Sequence, residues 1–271
     1  MMKYFRPSTV DDVVAGLARG GVLLAGGTAL VPVLLSKAGT DTSLLDLQKI
    51  ASLNKISSDS QFVRLGATVS LSALHSSSLV SSELPALAEA AAAVGNPQVR
   101  NAGTLGGNLA TPHTDLPPAL VALDAEVVQA GTGGEFSQPI EQFLKSGATG
   151  LITEVRVTRH PQRRSRFVKY AWRASSGITI ASVAGAISLD GNGTIIEARL
   201  AAGGISTKPC RLSGAEKVLL GQKWGEALLQ QAARAGAEEA VADVAHPPGE
   251  QYRRYLVASG IVQVLKDMIK A

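Results

Sequence analysis

An α+β fold follows from three features of the chain. Short apolar runs alternate with helix-forming segments as far as Val157, three longer strand-like runs then meet at a hairpin signal, and the remainder has helical character. At 271 residues the chain has room for two domains, each with its own core.

The elements follow in order. Asp11 and Asp12 suit the first turn of a helix from Val10 to Ala18, which Gly20 and Gly21 end. Val22 to Ala25 has strand length, Gly26-Gly27 breaks it, and Leu30 to Leu35 resumes as a helix, so the order is strand, glycine turn, helix. Leu44 to Leu47 and Gln61 to Ala67 read as strands, and the serines at 76–78, 81 and 82 as loop or turn. Alanine and leucine favour a helix from Glu83 to Val94, stopped by Gly95-Asn96-Pro97. A second glycine segment, Thr104-Leu105-Gly106-Gly107-Asn108, follows, then a helix-compatible run from Asp115 to Leu123 and strands at Glu126 to Ala130 and Leu151 to Val157.

A shift in composition at His160 to Arg166 marks the domain boundary, giving residues 1–163 and 164–271. Beyond it Arg166 to Trp172, Ile180 to Leu189 and Thr194 to Ala201 form three strands, the last two joined across Asp190-Gly191-Asn192-Gly193. Ala215 to Leu220, Trp224 to Val241 and Glu250 onward are helical.

Composition narrows the function. The formal charge of +4 is scattered apart from Arg159, His160, Arg163, Arg164 and Arg166, which read as a solvated connector or else a phosphate-binding or partner-docking patch and lack the interleaved aromatics of a nucleic-acid surface. The single cysteine, Cys210, excludes an internal disulfide and a four-cysteine cluster and lies in a loop-like segment with no activating signature. The four histidines, His75, His113, His160 and His246, have no metal-ligand spacing, so no metal site is expected. No apolar run reaches spanning length and the first residues lack a signal core, so a cytoplasmic location is expected.

The two glycine segments therefore carry the functional signal. Each reads either as a structural turn or as an anion cradle, since glycine lets backbone N–H groups approach a ligand. Neither has the three-glycine spacing of a nicotinamide-binding unit or a phosphate-loop lysine. Two loops gripping one extended diphosphate is the geometry that uses both.

Val22 to Leu30, Asn101 to Ala110, Asp115 to Leu120, Leu151 to Val157, Lys169 with Arg173, Ser182 to Ala184 and Gln251 to Tyr255 carry a resemblance over essentially the whole chain. In that order they resemble the FAD-binding medium subunit of the molybdenum hydroxylases, the family of xanthine dehydrogenase, aldehyde oxidase and carbon monoxide dehydrogenase. The resemblance implies an FAD-binding domain of the p-cresol methylhydroxylase and vanillyl-alcohol oxidase type (PCMH/VAO), built of two α/β subdomains over residues 1–163. A C-terminal domain of the CO dehydrogenase flavoprotein type, with a three-stranded antiparallel sheet plus helices, would follow over 164–271.

By the same likeness FAD is bound non-covalently. Leu23, Leu24, Ala25, Gly26, Gly27, Thr28, Ala29 and Leu30 would wrap its diphosphate together with Thr104, Leu105, Gly106, Gly107 and Asn108. Asp115 would hydrogen-bond ribityl or nearby flavin oxygens, Leu151 or Ile152 would pack by the cofactor, and Lys169 would lie near the isoalloxazine. Gly177 and Ile178 stand where many relatives carry an acidic residue and an aromatic, so aliphatic flavin faces are expected. The loop before Asp115 is shorter than usual and holds His113, a candidate acid or base or an exposed loop residue.

The resemblance further implies an oxidoreductase that works as part of a heterotrimer, with a large molybdenum-pterin subunit that oxidises substrate and a small subunit carrying two 2Fe-2S clusters. It permits a dimer of such heterotrimers. This chain would pass electrons from the nearer cluster through FAD to an external acceptor and hold no substrate-oxidising residue of its own. A self-sufficient flavin oxidase or reductase of the same fold and a cofactor-free scaffold subunit are the alternatives.

Overall fold

The computed structural model describes residues 2–36, 41–111, 115–173, 177–240 and 248–270. His113 and His246 lie outside the described residues. The chain forms two compact units that are discontinuous in sequence: residues 1–73, 97–111 and 125–159 make the first, and 74–96, 112–124 and 160–271 the second.

The first unit contains two sheets. Strands β1 (Lys3–Phe5), β2 (Val22–Leu24) and β3 (Ser43–Asp46) form a parallel sheet in the order β1-β3-β2. Strands β4 (Ile56–Ser58), β5 (Phe62–Gly66), β6 (Glu126–Gly131), β7 (Gly134–Pro139) and β8 (Leu151–Thr158) form an antiparallel sheet in the order β4-β5-β8-β6-β7. The helix Val10–Ala18 sits where its sequence puts it, because the Thr9 hydroxyl accepts from the Asp12 N–H at 3.1 Å and caps its first turn. Its Val13 joins Leu45, Leu47, Ile50, Leu53 and Leu151 in one buried cluster, against which Leu23 and Ala25 pack.

The second unit is built on strands β9 (Arg164–Ala171), β10 (Thr179–Leu189), β11 (Ile195–Gly203) and β12 (Cys210–Arg211), in the order β12-β11-β10-β9. Strand β10 is buried from Ile180 to Ser188, which is why it reads as a nearly continuous apolar run. The helices Pro85–Ala92 and Leu116–Ala122 pack against this sheet, as does the long helix Glu250–Lys270. Asp190 shapes the β10–β11 turn by accepting from the N–H groups of Asn192 and Thr194 at 2.9 and 2.8 Å.

Three expectations need correction. The sheet of the second unit has four strands rather than three, because Cys210 and Arg211 pair with Ala202 and Ala201 and the ladder continues through the Leu212 N–H to Leu200 O at 2.8 Å. Cys210 is thus on an edge strand, where burial pushes its thiol up to about 11. A thiol-specific reagent at pH 8 is expected to modify it at least about a hundredfold more slowly than a free cysteine, since the thiolate is the reactive form. Colour release in a disulfide-exchange assay reads this directly.

The serine-rich stretch is mostly helical rather than loop. Ser77 accepts from the Val80 N–H at 3.3 Å and starts the helix Ser78–Glu83, a cap that serine favours. The basic cluster is not a solvated connector either. Arg163 is nearly buried and donates to Leu123 O at 3.1 Å and to Glu197 at 3.3 Å. Arg164 donates to the carbonyls of Met268 and Ile269 at 3.1 and 3.3 Å, satisfying the end of the helix Glu250–Lys270.

Candidate functional site

The first glycine segment begins where β2 ends. A Cβ on Gly26 would lie 1.9 Å from Ala102 O and 3.1 Å from Gly103 Cα, so two stretches of backbone touch here and only glycine fits. The structure thereby joins the first glycine segment to the chain that leads into the second. Gly27 has φ +71°, and its carbonyl accepts from the Val31 N–H at 2.9 Å to open the helix Leu30–Ser36. Between these points the backbone N–H groups of Gly26, Gly27, Thr28, Ala29 and Leu30 hold no partner among the described residues. Thr28 and Ala29 are exposed. Leu23, Ala25 and Leu151 form the floor beneath, while Ile152 is buried in β8 opposite Gln129.

The second segment behaves differently. Thr104 caps the short helix Leu105–Leu109, and its hydroxyl accepts from the Gly107 N–H at 3.1 Å. Leu105 donates to Val69 O at 2.9 Å, Gly106 to Ala67 O at 2.8 Å and Asn108 to Thr104 O at 2.9 Å. The backbone N–H groups of Leu105, Gly106, Gly107 and Asn108 are therefore all taken within the chain. Gly106 is small because a Cβ there would meet the Ala67 Cβ at 2.9 Å. The segment acts as a buttress behind Ala102 and Gly103, and its half-buried Gly107 and Asn108 are the parts left near the surface.

In the second unit Asp115 and Lys169 form a buried ion pair at 2.7 Å, each side chain only 10% exposed. Lys169 also donates to Ala93 O at 3.0 Å, and the Thr179 hydroxyl donates to the other carboxylate oxygen of Asp115 at 2.5 Å. Thr179 escaped the sequence reading because only the β9–β10 pairing brings it to a residue 64 positions away. Lys169 borders a cavity of about 390 Å³ lined also by Tyr170, Arg173, Gly177, Tyr252 and Leu256. Tyrosines enter this cavity from β9 and from the helix Glu250–Lys270.

A row of unspent N–H groups behind a positive-φ glycine fits an anionic oxygen ligand, so the first segment suits the diphosphate of FAD. Among the described residues no group of side chains suits a metal ion, and no helix is long and apolar enough to cross a membrane.

The family described as the FAD binding domain in molybdopterin dehydrogenase matches residues 1–158, and that described as the CO dehydrogenase flavoprotein C-terminal domain matches residues 166–268. The chain is 30% identical over 253 residues to the glyceraldehyde dehydrogenase medium chain of Sulfolobus acidocaldarius, covering 90% of this chain and 89% of that one. It is 32% identical over 230 residues to the 6-hydroxypseudooxynicotine dehydrogenase complex subunit alpha of Paenarthrobacter nicotinovorans, covering 80% and 77%. Its fold matches a solved structure of carbon monoxide dehydrogenase from Hydrogenophaga pseudoflava with a TM-score of 0.90 at 26% identity, over 99% of this chain and 97% of that one. The chain belongs to the family of FAD-binding medium subunits of the molybdenum hydroxylases.

Proposed function

We propose that this chain is the electron-transfer subunit of a molybdenum hydroxylase complex, receiving electrons from a partner's 2Fe-2S cluster and delivering them through FAD to an external acceptor. The partners are a large molybdenum-pterin subunit and a small iron–sulfur subunit. The observation that carries the reading is the run of unspent N–H groups from Gly26 to Leu30. Bound FAD supplies the reversible redox chemistry that no side chain of this protein provides.

The protein's own part is binding and orientation. Gly26 to Leu30 donate to diphosphate oxygens, Gly27 sets the direction of those donors, and the Thr28 hydroxyl adds one more. Thr104 to Asn108 hold Ala102 and Gly103 against Gly26 and keep the donors in place. Asp115 fixes the Lys169 ammonium, and each of its carboxylate oxygens retains a second lone pair for a ribityl hydroxyl. Lys169 spends two N–H donors on Asp115 and Ala93 and keeps the third for a flavin oxygen, where its charge stabilises the reduced ring.

Titrating the purified chain with FAD tests the binding. One FAD per chain with a bound-flavin absorption band is expected, and absence of uptake at micromolar FAD would overturn the proposal. In the assembled complex that band is expected to bleach on addition of the substrate that the large subunit oxidises. Bleaching of the isolated chain by an organic substrate would instead identify a self-sufficient oxidase.

A further inference from the structure

Strand β9 is the last strand of its sheet, so its outer edge has no strand to pair with. The helix Pro85–Ala92 packs on that strand and meets it at points that run in step. The Ala86 N–H donates to the Ser165 hydroxyl at 3.2 Å, the Phe167 N–H to the Glu89 carboxylate at 2.7 Å, and the Lys169 ammonium to Ala93 O at 3.0 Å. Seven residues of helix rise about 10.5 Å and four of strand about 13 Å, so one contact per helical turn keeps pace with every second strand residue.

The contacts differ in kind. Ser165 offers a neutral hydroxyl, and Lys169 is itself the group being placed, so the Glu89 carboxylate is the charged link that ties the middle of the helix to the strand. Its other oxygen lies 3.7 Å from Arg166, and Phe167, whose N–H it takes, is nearly buried. One turn further on, Ala93 O stands at the C-terminal end of the helix, where partial negative charge favours an ammonium. The seat of the helix along β9 therefore decides where Ala93 O holds Lys169, and with it the direction of the N–H that Lys169 keeps after serving Asp115 and Ala93.

We infer that Glu89 is a positioning residue for the flavin, fixing the helix Pro85–Ala92 on the edge of β9 and thereby aiming the Lys169 ammonium at the flavin oxygen. The inference rests on the reading that Lys169 faces FAD. Two effects of opposite sign tell the possible roles of Glu89 apart. A carboxylate acting on the ring through space disfavours the electron-rich reduced form, so its removal raises the flavin midpoint potential. A carboxylate that places Lys169 favours that form, so its removal lowers the potential.

The test is the midpoint potential of the FAD-loaded chain, measured by titration against a redox dye. Glu89→Ala is expected to lower it by at least about half the shift seen in Lys169→Met, and to lower it no further in a Lys169→Met background, because it acts through Lys169. Glu89→Gln keeps an oxygen for the Phe167 N–H and is expected to recover most of the loss. Ser165→Ala removes the neighbouring contact and is expected to move the potential the same way by less, which decides the matter if Glu89→Ala does not fold. A potential unmoved or raised by Glu89→Ala, or an equal fall in the Lys169→Met background, would overturn the inference. So would a potential unmoved by Lys169→Met, or by Ser165→Ala where Glu89→Ala is unfolded. A chain that takes up no FAD would overturn the flavin reading and the inference with it, whereas a loaded chain with an unmoved potential would overturn the inference alone.

Discussion

Gly26→Ala is expected to strip FAD from the protein. The added Cβ would lie 1.9 Å from Ala102 O, and since the obstacle is backbone, no rotamer change relieves it. The two segments must move apart, at an overpacking cost of about 1–3 kcal/mol in stability. Movement of the first segment also misdirects the N–H donors of Gly26 to Leu30. Losing two charge-assisted hydrogen bonds at roughly 1.5–3 kcal/mol each corresponds to a fall in FAD affinity of at least about a hundredfold. Isothermal titration with FAD measures the affinity, and a urea melt measures the stability.

Two further variants separate these effects. Gly27→Ala keeps the Ala102 contact and strains the backbone at φ +71°, costing about 1–2 kcal/mol while rotating the same donors, so affinity falls with less loss of stability. Gly133→Ala adds a methyl group that meets nothing within 4 Å, and both readings stay at wild type. Undiminished FAD binding by Gly26→Ala and Gly27→Ala together would remove this segment from the diphosphate site.

The second large effect is expected at Lys169. Lys169→Met leaves the Asp115 carboxylate buried with the Thr179 hydroxyl as its remaining described partner, and removing one member of such a pair costs about 3–5 kcal/mol. Chemical denaturation of the apoprotein should show that loss. Replacing both members, as Lys169→Met/Asp115→Leu, is expected to recover most of it, because no uncompensated charge then remains. With FAD bound, the single variant is also expected to lower the flavin midpoint potential, since a cation that favours the reduced form has gone. A variant with unaltered potential would confine Lys169 to a structural role.

Much of this was legible locally. The helix Val10–Ala18 is written in Thr9, Asp11 and Asp12, and the strand, glycine turn and helix order from Val22 to Ser36 in the break at Gly26-Gly27. The end of β10 and the start of β11 followed from the Asp190-Gly191-Asn192-Gly193 turn to within one residue. What stayed hidden depends on contacts distant in sequence. Nothing near Gly106 says that its N–H will find Ala67 O, so the two glycine segments looked equivalent although the donors of Leu105 to Asn108 are taken within the chain. Arg163 and Arg164 look solvated until Glu197 and the last turn of the helix Glu250–Lys270 arrive beside them. The serines near residue 80 follow a similar rule, since a residue favoured in turns is equally favoured as a helix cap.

The interleaving of the two units bears on how the protein is made. When the ribosome has completed residue 159, every segment of the first unit exists, but residues 74–96 and 112–124 belong to a unit whose sheet has not been synthesised. Leu116, Leu120 and Val121, buried in the finished protein, must wait for β10 and β11 while the segments of the first unit on either side of them in sequence condense. A nascent chain in that state displays apolar helices of the kind that chaperones shield. Translation pauses placed between residue 124 and the end of β11 would prolong the wait, whereas pauses placed later would leave it unchanged.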